Sequence, residues 1–432
     1  MQRLESAEQP PWTARWLRFA VGALTASTVC AVVLVLLRLP GLAQRFPEAL
    51  RAALVLHVDF STLVWFLTFA CALWSLGARA ARPRIQGLAF ALAGAGVAMM
   101  LAAPVFAPGA ALLANYVPVI DSALFLSGLA AFAAGIAVAA LSALAATLPW
   151  RCADADDALA LGARFAAVPV LAALAAAASW ALQAPTTSTA QAWFEAMFWG
   201  PGHLLQFTHT ALMLACWMWL AHGADIGRFA PRATPLACAI AAAPVLCSPV
   251  ILYLTQNDPD AQRRAFTALM TWASWPAVLP VAALLLAGLF GSPRRASHAA
   301  PCLAASMALF MLGLALGAAT RDDSTMVPAH YHACIGAVTL AFMGVTLQLL
   351  PQLGFRAVAV GSARFQGLLY AGGVAALALG FAWSGVNGAA RKAGVALQAW
   401  RDTAQLAGLS LIVLGGLAAI VATAWFALLV LR

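Results

Sequence analysis

Long runs of apolar residues alternate with short polar connections about twelve times along the chain. The runs cover residues 16–37, 50–77, 86–106, 122–146, 162–182, 194–221, 235–255, 265–290, 300–319, 327–350, 364–385 and 404–431. Each is close to the roughly 20 residues that a helix needs to cross the hydrocarbon core of a bilayer. The pattern predicts an all-α integral membrane protein, with a cytoplasmic tail over 1–13 and a single twelve-helix transmembrane domain over 14–432. The tail is polar, contains proline and shows no small-residue cleavage site, so the first run reads as a retained helix and not as a signal peptide.

Polar side chains inside such runs carry the next step. The tenth run, MVPAHYHACIGAVTLAFMGVTLQLLPQL from Met326, holds His330 and His332 about one turn inside its outer end. An imidazole there must find a partner or cost several kcal/mol. At about 100° per residue, positions two apart point about 200° apart, so the two rings cannot serve one metal and look to two partners, one on each flank. With the N-terminus inside, every even-numbered helix enters from the outer face. His57 in the second run, His203 in the sixth and the 330/332 pair then lie a few residues below one surface. Scattered structural histidines have no reason to share a depth, whereas ligands of groups held side by side in a bundle would require it. For each histidine taken singly, a satisfied core residue is the competing reading.

Composition narrows the classes further. Hydrophobic residues make up 64% of the chain and charged ones only 9%, with a mean hydropathy of +0.89. Soluble domains carry about 25% charged residues. The net charge of +9 is spread over short loops with no basic stripe or aromatic interleaving, which argues against a nucleic-acid partner. Fifteen of the 24 lysines and arginines fall on the inner face when the N-terminus is inside, so the expected topology is N-in and C-in, as in a bacterial inner membrane. The eight cysteines form no C-x-x-C, so no disulfide framework, cysteine metal site or C-x-x-C-H haem attachment is expected.

The stretch from Asp322 through His330, Tyr331, His332 and Gly336 to Pro351 resembles the tenth helix of subunit I of the haem-copper oxidase superfamily, which includes cytochrome c oxidases and nitric oxide reductases. The resemblance implies a bundle of that kind, with a low-spin haem on His57 and His332 and a high-spin haem on His330, both expected as b-type. It places His203 where the family has a copper-ligating histidine, which makes it the candidate catalytic residue. It also implies a small-gas substrate, dioxygen or nitric oxide, and electrons arriving from a cytochrome subunit or a soluble cytochrome. In the loop NGAARKAGVALQAWRD, Arg391, Lys392 and Arg401 resemble the family's propionate-binding arginine pair, with a solvated charge run as the alternative.

Two departures limit what the resemblance carries. The seventh run continues as CSPVILYLTQNDPDAQRRAF, which contains no histidine, and Tyr253, Gln256 and Asn257 are its nearby polar groups. Copper or another second metal therefore lacks its ligand set; a weakly held non-haem iron would need carboxylate help from Glu195. Phe207 stands where many oxidases carry a tyrosine. A non-catalytic haem-binding relative, acting in sensing or oxidase assembly, is the second reading, and a transporter, suggested by twelve helices and a broken sixth, the third.

Local expectations complete the reading. Gly200, Pro201 and Gly202 should loosen the sixth helix and bring its backbone close to something. His209, about 240° round from His203, reads as structural. Asp59 reads either as a proton-path carboxylate or as a hydrogen-bonded structural acid. The connection from Ala111 to Asp121, with Asn115 and Tyr116, reads as a lid, a docking surface or an ordered loop whose Asp121 caps the fourth helix.

Overall fold

The computed structural model describes residues 11–37, 42–76, 83–146, 152–183, 189–226, 230–256, 258–291, 297–321, 323–391 and 403–431. Among the described residues, twelve helices are long and apolar enough to cross a membrane, one for each apolar run. They are α1 (Trp12–Leu37), α2 (Pro47–Leu76), α3 (Pro83–Phe106), α4 (Ala123–Ala145), α5 (Ala155–Leu182), α6 (Ala190–Gly223), α7 (Ala233–Thr255), α8 (Pro259–Gly291), α9 (Ala299–Ala319), α10 (Met326–Leu349), α11 (Val360–Val386) and α12 (Thr403–Leu431). Lipid offers no hydrogen bonds, so spanning segments must satisfy their backbone internally, and helices do so. Between α3 and α4 runs the one sheet among the described residues. Strands β1 (Ala110–Leu112) and β2 (Val119–Asp121) pair antiparallel, with Ala110 opposite Asp121 and Leu112 opposite Val119.

Helix starts are fixed by short polar side chains. The Ser122 hydroxyl accepts from the Phe125 amide at 3.3 Å, so Ser122 and not Asp121 caps α4. Asp154 accepts from the Asp156 and Asp157 amides at the start of α5, and Asp258 from the Ala261 amide at the start of α8. These contacts satisfy amides that have no partner inside their own helix.

Irregularities occur within the spans. In α2 the ladder widens to a π-helical stretch over Asp59–Val64. The His57 carbonyl there accepts from Ser61 Oγ at 2.7 Å and from Ser27 Oγ of α1 at 2.9 Å. Hydroxyls thus occupy a carbonyl in the stretch where the regular ladder is disturbed. The α7 span contains a 3-10 segment, Ala243–Cys247, and α8 breaks at Ser274, just before Pro276. The Gly200-Pro201-Gly202 triplet does not break α6, which runs for 34 residues without interruption. Its two glycines instead receive neighbouring rings: Phe266 packs on Gly200 and Tyr116 on Gly202.

The contacts divide the chain into two compact units. The first comprises residues 1–30, 46–219 and 228–284, and the second 31–45, 220–227 and 285–432. In the first, α3 and α4 meet backbone to backbone where Gly135 faces the Ala93 amide and Ala89 carbonyl, a contact that small residues permit. In the second, Gly373 and Gly380 of α11 lie against the backbone of α12 in the same way.

Enclosure singles out three helices. Of the most apolar 18-residue window of each span, 83% is buried in α6, 78% in α10 and 67% in α2, against 44% or less in the other nine. These three are the helices that carry His203, His330 with His332, and His57. A helix turned mainly toward protein has no need to be apolar all round, so these are the spans in which polar chemistry can be housed.

Candidate functional site

Each of the four histidines is oriented by the same kind of contact. His57 Nδ1 lies 3.1 Å from the Ser27 carbonyl oxygen and 3.0 Å from the Ser27 hydroxyl. His203 Nδ1 lies 2.7 Å from the Trp199 carbonyl, His330 Nδ1 2.6 Å from the Gly313 carbonyl, and His332 Nδ1 2.7 Å from the Pro328 carbonyl. A carbonyl oxygen only accepts, so Nδ1 carries the proton in each ring and Nε2 the lone pair. This is the tautomer and orientation found in metal-bound imidazoles, where a carbonyl on the far nitrogen fixes the ring and raises its basicity.

Within the second unit, His330 and His332 do turn to opposite flanks of α10. His330 faces α9, resting over Gly317, where a Cβ would come within 2.6 Å of its ring, and its Nδ1 is 3.8 Å from Cys334 Sγ. His332 faces α11 and stacks on Phe381 with centroids 5.1 Å apart and planes 25° apart. The neighbouring Tyr331 ring lies 4.7 Å from His332. Two residues of spacing thus give one imidazole to each side, as the helical repeat requires.

In the first unit, His203 belongs to a cluster that sequence reasoning missed. Glu195, Trp199, Gly202 and His203 recur on one face of α6 at helical spacing. The loop between β1 and β2 comes down on that face. The Glu195 carboxylate accepts from the Asn115 backbone amide at 2.8 Å and also from the Asn115 side-chain amide. Next along the loop, Tyr116 adopts φ +70°, an uncommon conformation for a residue with a side chain, and its ring lies on Gly202. Its hydroxyl is 3.1 Å from His203 Nε2. With the proton of His203 on Nδ1, the phenol donates to Nε2. Arg263 of α8 stacks over the Trp199 ring at 4.1 Å, and Trp199 Nε1 donates to the Arg263 carbonyl at 3.2 Å, which steadies the residue whose carbonyl orients His203.

The donor sets can be compared with the groups the resemblance implies. Haem needs one imidazole per iron face, and His57, His330 and His332 have the tautomer, orientation and partial burial for it. A second metal needs several converging ligands. Among the described residues no group of three or more His, Cys, Asp or Glu could hold a metal ion. The nitrogen of His203 that would ligate takes the Tyr116 hydroxyl, and Glu195 is engaged with Asn115. The residues present do not fit a copper site or a carboxylate-assisted iron. Tyr253, the aromatic polar group of the seventh run, is 72% exposed, on the outer surface of the protein.

The remaining candidates fall as follows. Arg391 pairs with Asp323 at 3.2 Å, and its backbone amide donates to the Asp323 carbonyl, which fastens the connection after α11 to the start of α10. Lys392, Arg401, Asp322 and Asn257 lie outside the described residues. His209 is buried, with Phe66 against its ring at 4.6 Å and no hydrogen-bond partner for Nε2 among the described residues. Asp59 is wholly buried and neither carboxylate oxygen has a partner among the described residues, so the hydrogen-bonded structural role expected as one reading is not met.

No protein-family model matches the chain. An uncharacterised protein of Aquifex aeolicus (strain VF5) is 24% identical over 342 residues, covering 79% of this chain and 85% of that protein. Among solved structures, a haem-copper terminal oxidase dimer determined by cryo-electron microscopy matches with a TM-score of 0.69. The match covers 95% of this chain and 83% of that chain, at 14% identity. The chain is an all-α membrane protein with twelve spanning helices and the fold of a haem-copper terminal oxidase.

Proposed function

We propose that the protein is a haem-binding membrane redox protein. His57 and His332 would hold a low-spin haem, and His330 would hold a high-spin haem that would bind a small gas, dioxygen or nitric oxide. The observation that carries this reading is that four imidazoles on the three most enclosed helices all have Nδ1 held by a backbone carbonyl. When bound, the two haems would supply one-electron chemistry and a gas-binding iron.

The chain's own residues orient, exclude water and hold protons. Ser27, Gly313 and Pro328 fix the ligand rings through their carbonyls. Phe381 covers one face of His332. His203 and Tyr116 form a hydrogen-bonded pair that can hold or release a proton at the phenol oxygen, and His203 serves there as a catalytic histidine without a metal. Arg391 stands near the start of α10 as the candidate propionate partner. Electrons come from a cytochrome subunit or a soluble cytochrome, and the protein lies in a bacterial inner membrane with both termini inside.

A second reading, a non-catalytic haem protein acting in sensing or oxidase assembly, is favoured by one specific observation: with Nδ1 of His203 held by the Trp199 carbonyl, the Tyr116 hydroxyl occupies Nε2, the nitrogen whose lone pair a metal would need. Reduced-minus-oxidised spectra of purified variants test the ligands. His57→Ala and His332→Ala each abolish the low-spin bands; His330→Ala spares them and removes the carbon monoxide response. Retention of all bands in all three variants would refute the assignment. Turnover of dioxygen or nitric oxide by the wild type, measured with an electrode, separates the two readings.

A further inference from the structure

The histidine chemistry makes no use of a groove in the first unit, where α1 and α3 lie side by side. Trp12 of α1 lies over Gly87 of α3, where a Cβ would come 3.6 Å from its ring, and Trp16 Nε1 donates to Gln86 Oε1 at 3.2 Å. One turn further, the Phe90 ring meets Trp16 at 5.0 Å and Phe19 at 5.5 Å, both edge to face. Residue numbers rise together along the contact, so the two helices run parallel from the same membrane boundary. Beyond Phe90 the wall drops away: Gly94 has no atom within 4 Å of where its Cβ would stand. The result is an open groove of about 550 Å³ lined by Arg15, Arg18, Phe19, Phe90 and Gly94.

Charge and shape are arranged along that groove in a definite order. Arg15 and Arg18, three residues apart on one face of α1, are exposed at its mouth within the first two turns of the helix. The Arg15 guanidinium is held over the Trp12 ring at 4.6 Å. Phe19 and Phe90 form the floor, and Gly94, four residues past Phe90 and so about 6 Å deeper, extends it toward the middle of the membrane. We propose that the groove binds an anionic glycerophospholipid of the surrounding bilayer. Its phosphate sits on Arg15 and Arg18, whose planar forks match phosphate oxygens, and one acyl chain lies along Phe19 and Phe90 over Gly94. A soluble phosphate would use the guanidiniums and leave the apolar floor bare. A zwitterionic lipid would use the floor and bring a repelled ammonium to the mouth.

The test uses the full-length protein in detergent, titrated with phosphatidylglycerol, phosphatidylcholine or inorganic phosphate, and reads the melting temperature. Phosphatidylglycerol raises it by several degrees, and the other two do not. Near a membrane surface each arginine is worth roughly fivefold in affinity for an anionic lipid, so Arg15→Gln/Arg18→Gln needs about thirtyfold more phosphatidylglycerol for half the shift. Gly94→Leu, which fills open space, loses the shift with both guanidiniums in place. Native mass spectrometry gives a readout independent of stability: a phosphatidylglycerol-mass adduct persists on the wild type and is lost from both variants. Equal stabilisation by phosphatidylcholine or by phosphate would overturn the proposal. So would unchanged retention of the adduct by either variant.

Discussion

At the scale of single residues, what a histidine can do is decided by which of its nitrogens is already spoken for. A carbonyl on Nδ1 makes Nε2 the basic nitrogen in all four rings, and the difference between His203 and the others is the phenol that Tyr116 brings to it. Tyr116→Phe removes that donor and leaves a buried acceptor, at a cost of about 1 to 3 kcal/mol in stability. Gly202→Ala acts on the same contact from below by driving a methyl into the Tyr116 ring, at a cost of about 1 to 3 kcal/mol. Both are read by thermal unfolding in detergent, and a wild-type melting temperature for either would contradict the contact. The histidines were legible in the sequence because an imidazole in an apolar run stands out by chemistry alone. Their partner was not, since Tyr116 and His203 are 87 residues apart and meet only through a left-handed backbone turn that no local propensity announces.

The β1–β2 hairpin raises the same question one level up. Its three-residue strands are too short to hold by themselves, and the clamp between Asn115 and the Glu195 carboxylate supplies what the ladder lacks. Glu195→Gln keeps the shape and removes the charge from a charge-assisted pair. Amide hydrogen exchange over residues 110–121 should quicken about tenfold or more in this variant, while α4 exchanges as before; unchanged protection of the hairpin would show that Glu195 does not hold it. The sequence announced the long elements because apolar length is a strong signal. It did not announce the hairpin, whose pairing is too brief for an alternating pattern, nor the π-helical stretch of α2, where Ser61 and Thr62 read as ordinary helix residues. The glycines on either side of Pro201 were read as loosening elements. The helix is not broken, but the expected close approach to its backbone is there: the glycines receive rings from other segments, and which rings they are only the packed helix reveals.

For the whole molecule, the fold is carried by apolar runs and close helix contacts, and the candidate chemistry by the few polar groups those contacts enclose. That division explains a fold shared with a terminal oxidase at only 14% sequence identity. The ends of the helices respond to conditions in their own way. Burial is the main influence on His298, at the start of α9, and the nearby Arg364 adds to it. Together they outweigh the hydrogen bond to the Gly344 carbonyl and hold the ring below its ordinary value of 6.5. The unfolded chain therefore takes up a proton at a pH where the folded protein does not. The stability from this residue is complete above the unfolded value and is lost as the pH falls from there toward the folded one. Acidification through that window lowers the melting temperature of the wild type, and His298→Gln makes the decline shallower; an unchanged decline would remove His298 from the account.

The central claim is that the enclosed histidines ligate iron in haem and that no second metal accompanies it. Pyridine haemochrome analysis with elemental analysis on the purified chain tests it most directly. The account predicts two b-type haems per chain and copper far below one per chain; a preparation without haem, or with copper in proportion to haem, would contradict it.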